Sequence, residues 1–418
     1  MIVDLIIKNP NELLTMSLPN KIIRGRDYKN IPILKNTDIA IKNGIIIKIG
    51  KNLDKELKAK KIINCEGKTV LPSFVDCHTH LIFSGTREFE LVNKINKTRG
   101  SNSEVMGGGI KYTVSCTRKS SKEELKNLAI KRLNRMLEEG ITSIEAKSGY
   151  GLDWENEKKI LEVIKEISHE IDIIPTFMGA HSIPDDLTPE KYTEILINEM
   201  IPNVKKYNLA KFCDVFCENG FFSNELAEKI LISAKKNNLK LKIHVDQLSN
   251  TNGAELSAKL GVVSADHLDY SSEEGIKAMA KANVIGVLTP TITFRLDTKF
   301  PNVTFMMENN LPIALSTDFN PGAGYSESMY LVIYFACLKL KMLPIEALAS
   351  ATINAAYACN IGNKVGSIEV SKNADILIVD APNHNYIPYH YGVNLTNMVI
   401  KNGKIVFSKK DSDIIECL

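Results

Sequence analysis

The sequence lacks the features that mark a membrane protein, a disulfide-linked secreted protein or a nucleic-acid-binding protein. No apolar run approaches the ~20 residues that a membrane-spanning helix requires. The 8 cysteines are scattered without a Cys-x-x-Cys pair, which favours reduced thiols in a cytoplasmic protein. The 52 Lys and Arg residues nearly balance the 49 Asp and Glu residues, so we expect neither a nucleic acid nor a membrane as a partner. A small-molecule substrate is the expected partner.

Length and composition indicate a globular protein with one large domain and a smaller one. The chain has 418 residues, of which 44% are hydrophobic and 24% are charged, and these values are ordinary for a folded protein. An α/β barrel is among the few single domains that could take most of this length.

The two ends of the chain share a pattern of short apolar runs joined by tight turns. Asn43-Gly44 separates two such runs near the N-terminus, and Asn402-Gly403 separates two more near the C-terminus. An Asn-Gly pair between apolar runs is a strong signal for a β-hairpin. The sequence therefore predicts that both ends are β-rich and meet in one small β domain.

The middle of the chain alternates apolar runs with helical patterns, which is typical of a parallel α/β fold. The predicted strands cover 70–78, 141–147, 172–178, 210–217, 239–245, 262–266, 284–289 and 312–317. The predicted helices between them include 121–139, 154–168, 189–207, 224–237, 253–260 and 272–282. Eight strand–helix units favour a (β/α)8 TIM-like barrel, with a doubly wound open sheet as the alternative. We expect a barrel domain at 67–365 and a β-sandwich domain built from 1–66 and 366–418.

Histidines are concentrated at the ends of the predicted strands. Five of the 8 histidines lie at or just after such an end, and Asp318 ends the last strand. The five are His78, His80, His181, His244 and His267. The C-terminal strand ends of a (β/α)8 barrel converge at one face, where the active site lies. The clustering therefore predicts an active site and not five unrelated core histidines.

Three imidazoles and one carboxylate of this set could hold a metal ion. His78 and His80 are spaced so that, in a strand, both side chains leave the same face. Together with His244 and Asp318 they offer the nitrogen and oxygen ligands that zinc and iron accept. A metal held mainly by neutral ligands keeps its positive charge and lowers the pKa of bound water.

Longer motifs resemble the imidazolonepropionase family of the amidohydrolase superfamily. The motifs are 75–80 followed by Arg87, and 147–152, 178–181, 244–247, 264–267 and 316–322. The His-x-His element is shared across the superfamily, whereas Ser-Gly-Tyr-Gly-Leu and Asp-Phe-Asn-Pro-Gly are much narrower.

This resemblance implies a cytoplasmic enzyme of histidine degradation. The family uses a metal-activated water to hydrolyse a ring C–N bond of 4-imidazolone-5-propanoate, which gives N-formimidoyl-L-glutamate. One Zn²⁺ or Fe³⁺ ion per subunit and a homodimer are implied as well. By position, the metal ligands fall on His78, His80, His244 and Asp318.

The resemblance also implies a set of substrate contacts. By position they fall on Arg87, Tyr150, His181, Gln247, Asn320, Gly322 and Ala323. The planar fork of an arginine can bind the propionate through two hydrogen bonds. A tyrosine offers a hydroxyl group and a flat ring to a planar imidazolone.

Two of these positions depart from the family pattern. Gln247 is a glutamate in many relatives, and because an amide cannot take a proton, we expect Gln247 to bind the substrate and not to act as a base. Ala323 is commonly Ser or Thr, so one hydrogen bond to the substrate is in doubt, and Tyr325-Ser326 could compensate. Lys147 stands where some relatives in the superfamily carry a carbamylated lysine, but its motif favours an unmodified lysine paired with a nearby carboxylate.

Ring hydrolysis requires a water to lose a proton and the departing ring nitrogen to gain one. We expect Asp318 to act as base and proton shuttle. His267 is expected to orient the water, and His181 to act as electrophile or binder.

Two other functions stay open at this point. A deaminase of a purine-like ring would keep the metal ligands but would not need a carboxylate-binding Arg87 together with Tyr150. A catalytically inactive scaffold tends to have lost ligands, whereas all four expected positions are filled in this sequence.

Overall fold

The computed structural model describes residues 1–98, 108–409 and 414–416. Its strands form one eight-stranded, one six-stranded and one five-stranded sheet. In chain order the strands are β1 (Ile2–Lys8), β2 (Glu12–Leu14), β3 (Ile33–Leu34), β4 (Asp38–Lys42), β5 (Ile45–Gly50), β6 (Lys58–Asn64), β7 (Thr69–Pro72), β8 (Phe74–Asp76), β9 (Ile141–Lys147), β10 (Asp172–Ala180), β11 (Phe212–Cys217), β12 (Lys240–Val245), β13 (Ser264–His267), β14 (Ile285–Leu288), β15 (Ile313–Leu315), β16 (Ile376–Val379), β17 (Thr396–Lys401), β18 (Lys404–Ser408) and β19 (Ile414–Glu416).

Helices lie around the eight-stranded sheet and, in the case of the first helix, on the five-stranded sheet. They are α1 (Leu53–Glu56), α2 (Glu88–Thr98), α3 (Gly109–Lys119), α4 (Lys122–Glu138), α5 (Trp154–Glu166), α6 (Pro189–Ile195), α7 (Ile201–Lys206), α8 (Asn224–Lys236), α9 (Gly253–Leu260), α10 (Glu273–Lys281), α11 (Pro290–Leu296), α12 (Val303–Glu308), α13 (Met329–Leu338), α14 (Pro344–Ala349), α15 (Ala355–Ala358) and α16 (Tyr386–Tyr389). A 3₁₀ turn covers Gly25–Asn30, and π-helical turns cover Leu196–Met200 and Ser350–Asn354. None of the helices in the described ranges is long and apolar enough to cross a membrane.

The eight-stranded sheet is a barrel of parallel strands. From β8 to β15 each strand pairs with the next strand of the chain. The first and last strands meet just beyond their ends, where Thr79 and Phe319 form a parallel bridge and the His80 amide donates to the Phe319 carbonyl at 2.8 Å. The predicted (β/α)8 barrel is therefore confirmed.

The six predicted helices are also confirmed, with ends within two residues of those predicted. The longest, α4, shows why the sequence signals were sufficient. Ser121 and Glu124 form a capping box, in which each side chain accepts a hydrogen bond from the other residue's backbone. Leu125, Ala129 and Leu133 follow at helical spacing and are buried against the core.

Both ends of the chain contribute to the other two sheets. The five-stranded sheet has the order β19-β6-β1-β4-β5, and the six-stranded sheet has the order β18-β17-β16-β7-β2-β3. The two predicted hairpins are present as β4–β5 and β17–β18. Their turns lie against each other, since a Cβ on Gly44 would lie 2.9 Å from the Asn402 carbonyl oxygen.

The six-stranded sheet is buried on both faces. In β16, Ile376 and Ile378 pack into the core between the two terminal sheets, whereas Leu377 and Val379 pack into the core of the barrel. Alternate side chains of a strand point to opposite faces, so one strand serves both cores. This arrangement matches the predicted β-sandwich beside a barrel. The exact division at 1–66, 67–365 and 366–418 stays a prediction.

One predicted strand differs from the observed structure. The run at 70–78 was expected to be a single barrel strand, but it forms β7 and β8, which belong to different sheets. Ser73 lies between them and donates its backbone N–H to Asp375, while Phe74 donates to Gly140. The chain therefore passes from the terminal domain to the barrel within one residue, immediately before the His-x-His element.

Candidate active site

His78 and His80 lie directly beyond the C-terminal end of β8. Both side chains are buried, with exposures of 0% and 3%. Thr79 pairs with Phe319, and this extended backbone directs both rings to the same side. The ring centroids are 5.6 Å apart. The predicted convergence of the two imidazoles is therefore present, although the strand itself ends at Asp76.

His244 and Asp318 meet these two histidines at the mouth of the barrel. The ring centroid of His244 lies 4.4 Å from that of His78 and 5.8 Å from that of His80. Asp318 Oδ1 lies 3.5 Å from His78 Nε2 and 3.7 Å from His80 Nε2. The structure thus brings together all four residues that the sequence suggested as metal ligands.

The donor atoms of this cluster fit a metal ion. The Nε2 atoms of His78, His244 and His267 and the Nδ1 atom of His80 are buried without a hydrogen-bond partner in the described part of the chain. Buried polar atoms of this kind are costly unless something binds them. Burial lowers the pKa of His78 and of His80 well below the usual value, so both rings are neutral. Neutral imidazoles and one carboxylate form a set that zinc or iron accepts.

His267 lies beside the predicted ligands at the end of β13. Its ring centroid is 5.2 Å from that of His78 and 5.1 Å from that of His244. Its Nδ1 lies 3.1 Å from the Thr289 hydroxyl, which fixes the ring. The unpartnered Nε2 is therefore available to a water or a substrate at the same point.

Two aspartates that were not predicted as site residues contact the Nδ1 atoms of His78 and His244. Asp266 Oδ2 lies 2.7 Å from His78 Nδ1, and Asp214 Oδ1 lies 3.0 Å from His244 Nδ1. Burial raises the pKa of Asp266. Burial also opposes ionisation of Asp214, but His244 and Lys147 together hold the pKa of Asp214 well below its usual range. A carboxylate inside an apolar barrel strand was the sequence signal that could have identified both.

Lys147 is paired as predicted. Its Nζ lies 2.6 Å from Asp214 Oδ2 and 2.8 Å from Glu145 Oε2, and the side chain is fully buried. Burial alone would lower the pKa of Lys147, but these carboxylates outweigh burial and raise it above its usual value. The expectation that Lys147 is paired with a nearby carboxylate is confirmed.

The loop after Asp318 connects the histidine cluster to a cavity. The Asn320 amide donates to Asp318 Oδ1 at 3.1 Å, and its oxygen accepts from the backbone of Gly322 and Ala323 at 2.8 and 3.0 Å. Both ends of this side chain are thus engaged within the loop. Burial raises the pKa of Asp318 to about 8, while the bond from Asn320 acts in the opposite direction.

Tyr150 and His181 form an aromatic wall beside the histidine cluster. The ring of His181 stacks on that of His80 with a centroid distance of 4.8 Å, and Tyr150 meets His181 edge-on at 5.1 Å. His181 Nδ1 lies 3.0 Å from the Gly149 carbonyl, so this nitrogen is the donor. Burial lowers the pKa of His181 to about 3, so the ring is neutral and its Nε2 is an acceptor.

Glu157 holds the loop that carries Tyr150. This buried residue of α5 accepts hydrogen bonds from the backbone N–H groups of Gly149 at 3.0 Å, Gly151 at 2.6 Å and Leu152 at 3.0 Å. Burial raises the pKa of Glu157, and the three N–H groups partly offset that rise. This role was not predicted from the sequence, because Glu157 lies inside a helix and outside the 147–152 motif.

Arg87 lies at the start of α2 and is engaged by a neighbouring carboxylate. Its Nε and Nη2 atoms each donate to Glu90 at 2.8 Å. The guanidinium also lies against Gly322, where a Cβ would come within 2.9 Å of Nη1. The proximity of Arg87 to Gly322 was expected, but the pairing with Glu90 was not.

A cavity of about 810 Å³ adjoins this arginine, and its lining includes Arg87, Gly322 and Ala323. Arg295 and Phe294 also line it. Three of the predicted substrate residues therefore share one cavity.

Gln247 lies in the turn after β12, three residues beyond His244. It is partly exposed.

The sequence and the fold both match known proteins. The profile of the amidohydrolase family matches residues 69–415. Proteins named imidazolonepropionase are similar over almost the whole chain. That of Alkaliphilus metalliredigens is 44% identical over 98% of this chain and 99% of its own length, and that of Thermoanaerobacter pseudethanolicus is 45% identical over 96% and 97%.

Solved structures share the fold at much lower identity. An adenosine deaminase of Xanthomonas campestris with bound zinc matches with a TM-score of 0.71 and 16% identity, over 100% of this chain and 95% of that one. An atrazine chlorohydrolase of Arthrobacter aurescens complexed with zinc matches with a TM-score of 0.68 and 14% identity, over 97% and 95%. Likeness at this level of identity concerns the fold alone.

Proposed function

Because the chain belongs to the amidohydrolase family and, within it, to the imidazolonepropionases, we propose that it hydrolyses 4-imidazolone-5-propanoate to N-formimidoyl-L-glutamate. In this reaction the oxygen of water bonds to the ring carbonyl carbon. The bond from that carbon to the ring nitrogen breaks, and the nitrogen gains a proton. The reaction is a step of histidine degradation.

One observation carries this proposal. His78, His80 and Asp318 place their donor atoms within 4.8 Å of one another, at a buried point where His244 also converges. The loop from Asp318 leads directly to the cavity that Arg87 lines, since Asn320 bonds both to Asp318 and to Gly322. A metal centre joined by one loop to a cavity that two arginines line suits a planar ring that carries a carboxylate.

His78, His80, His244 and Asp318 are the proposed ligands of one Zn²⁺ or Fe³⁺ ion per subunit. Such an ion would supply Lewis acidity, which polarises the ring carbonyl and lowers the pKa of a water beside it. Nitrogen and oxygen donors of this kind accept either metal.

The proposed substrate contacts divide between the two ends of the substrate. Arg87 binds the propionate, with the backbone of Gly322 and Ala323 beside it. Tyr150 and His181 contact the ring. Since His181 donates through Nδ1 to Gly149, its Nε2 accepts an N–H of the imidazolone, which favours a binding role over an electrophilic one.

Gln247 and Asn320 complete the proposed contacts with different roles. The carboxamide of Gln247 can donate and accept hydrogen bonds, and its partly exposed position beyond β12 supports a contact with the ligand. Asn320 is held at both ends by its own loop, so we propose that it acts chiefly by shaping the backbone of Gly322 and Ala323.

Asp318 and His267 are the proposed proton-handling groups. Gln247 cannot accept a proton, whereas Asp318 can take one from water and deliver it to the departing nitrogen. His267 orients the water through Nε2, since Thr289 engages its other nitrogen. We also propose a cytoplasmic homodimer, and this part of the proposal rests on the family alone.

The direct test is an assay of the purified protein with freshly generated 4-imidazolone-5-propanoate, combined with metal analysis. We expect ring opening to N-formimidoyl-L-glutamate by a metal-containing protein. We expect no deamination of a purine nucleoside. Full activity in a thoroughly chelated sample would contradict the metal mechanism.

His244→Ala tests the ligand assignment. We expect this variant to be soluble but poor in metal and inactive, because the ring lies at the barrel mouth and its loss removes one of four ligands. The exposed His390 provides the control, since His390→Ala should keep both metal and activity. Equal metal content in the two variants would remove His244 from the ligand set.

A further inference from the structure

The buried ammonium group of Lys147 lies close to three carboxylates, although one would balance its charge. Its Nζ lies 2.6 Å from Asp214 Oδ2, 2.8 Å from Glu145 Oε2 and 3.6 Å from Asp266 Oδ2, and the side chain has no exposed surface. Lys242, the other fully buried lysine of the barrel, manages with Glu145 at 3.2 Å and the Cys77 carbonyl at 2.9 Å. The additional contacts of Lys147 are those to the two aspartates.

Each of these aspartates holds one of the proposed metal ligands. Asp214 contacts His244 Nδ1 at 3.0 Å, and Asp266 contacts His78 Nδ1 at 2.7 Å. A carboxylate that accepts the Nδ1 proton fixes the ring orientation and leaves Nε2 as the lone-pair donor. His80 has no such carboxylate, and its Nδ1 is unpartnered in the described part of the chain.

We propose that Lys147 is a positioning residue, which orients His78 and His244 together through Asp266 and Asp214. The proposal rests on the proposed function, since it requires that these histidines hold the metal. The Lys147 ammonium lies between the two carboxylates and fixes the position of each. The orientations of His78 and His244 therefore depend on the same lysine. Without that cation, the two carboxylates repel each other and turn away, and both rings lose their fixed orientation.

The test measures metal retention and not turnover. Zinc-loaded full-length protein is equilibrated with a chromophoric chelator, and the zinc affinity is read from the metal transferred. We expect Lys147→Met to bind zinc about 10- to 100-fold more weakly than the wild type, the usual effect of losing an outer support of metal ligands. Lys242→Met is the matched control, because Lys242 is equally buried but has its ion pair with Glu145 and acts on Asp266 only through its charge. Its zinc affinity should fall by a clearly smaller factor than that of Lys147→Met.

A second pair of variants covers the case in which a buried methionine prevents folding. Lys147→Arg and Lys242→Arg both keep the positive charge, but a guanidinium cannot reproduce the short contacts of an ammonium group. We expect weaker zinc binding and shifted visible absorption bands of the Co²⁺-substituted protein for Lys147→Arg only, because those bands report ligand geometry. Equal effects of the two substitutions would show that Lys147 acts through general stability and would overturn the proposal.

A double-mutant cycle tests whether Lys147 acts through an aspartate. If it acts through Asp214, Lys147→Met should weaken zinc binding by a smaller factor in the Asp214→Asn protein than in the wild type, because only the route through Asp266 to His78 remains. Multiplying losses would contradict that route. Failure of the wild type to open the imidazolone ring would refute the proposed function but would leave these zinc affinities interpretable, so the two failures are distinguishable.

Discussion

At the scale of single residues, the guanidinium of Arg87 binds Glu90 and is the proposed binder of the substrate propionate. Glu90 takes the Nε and Nη2 protons, while Nη1 lies over Gly322 at the cavity. We predict that Arg87→Lys raises KM with little change in kcat, because lysine lacks the planar fork that holds Glu90 through Nε and Nη2 and leaves Nη1 for the propionate. A charge-assisted contact of about 1.5–3 kcal/mol corresponds to roughly a tenfold to hundredfold increase.

Steady-state kinetics with the imidazolone substrate check this prediction. The exposed Arg26 supplies the control, since Arg26→Lys should leave KM unchanged. An Arg87→Ala variant with the kinetics of the wild type would remove Arg87 from the site.

His267 is the second residue whose role can be separated from metal binding. We predict that His267→Asn retains the metal and binds a substrate analogue nearly normally, while kcat falls by ~100-fold or more. The asparagine can keep the contact to Thr289 but has no group at the position of Nε2. Metal analysis and kcat across the pH range test this, and a wild-type rate would leave Asp318 as the sole route for protons.

The residues predicted from the sequence were those with rare side chains at strand ends. Histidines at 78, 80, 244 and 267 stand out because a barrel core has little use for them. Asp214 and Asp266 also lie in apolar strands, but their position alone does not indicate which histidine each one contacts. The pairing of Arg87 with Glu90 is local, since the two residues are three apart at the start of α2, and this spacing was a sequence signal for it.

At the scale of secondary-structure elements, the largest deviation from the sequence prediction concerns β7 and β8. Both strands are fully buried, so neither shows the alternation that marks a strand boundary or a change of sheet. Pro72 ends β7 and has no N–H to donate, and Ser73 turns the chain toward the barrel. The hairpins were predictable because their Asn-Gly turns carry a local signal.

The helix α5 supports the active site through Glu157, and this support can be tested. We predict that Glu157→Gln raises KM, because an amide keeps one oxygen and cannot accept from Gly149, Gly151 and Leu152 together. An N–H left unpaired costs about 1–3 kcal/mol, which loosens the loop of Tyr150. Hydrogen exchange of 149–152 should accelerate. Glu155→Gln on the exposed side of α5 is the control, and equal exchange in both variants would contradict the role of Glu157.

At the scale of the whole molecule, the core between the terminal sheets and the core of the barrel are joined by a strand that contributes to each. Alternate side chains of β16 point into the two cores. Gly140, just before β9, leaves room for Leu377, because a Cβ at that glycine would lie 2.8 Å from the Leu377 side chain. The chain ends could be assigned to one β domain from their hairpins. The packing of that domain on the barrel could not be predicted. It depends on which face of each buried strand faces the barrel and which faces the other terminal sheet.

Lys401 forms ion pairs with both the terminal domain and the barrel. Its Nζ lies 2.6 Å from Asp375 Oδ2 in the terminal domain and 2.6 Å from Asp172 Oδ2 at the start of β10. Lys401 and Asp375 are almost fully buried, whereas the side chain of Asp172 is 59% exposed. We predict that Lys401→Met lowers the free energy of unfolding by about 3–5 kcal/mol, the usual cost of leaving a buried charge without its partner. Urea denaturation measures this loss, and Lys404→Met at an exposed neighbouring lysine is the control.

We also predict that the stability loss of Lys401→Met depends on pH. Burial raises the pKa of Asp375 above its usual value of 3.8, and Lys401 opposes that rise. Without Lys401 the pKa of Asp375 rises further, so the folded state binds a proton more tightly than the unfolded state. Stability then falls as the pH rises from the unfolded pKa to the raised one, and the deficit of Lys401→Met is smaller in acid than at neutral pH. Lys401→Met combined with Asp375→Asn should recover much of the loss at neutral pH, because the uncompensated charge is gone. A deficit that is independent of pH and unchanged by Asp375→Asn would show that Lys401 contributes by packing and not by charge.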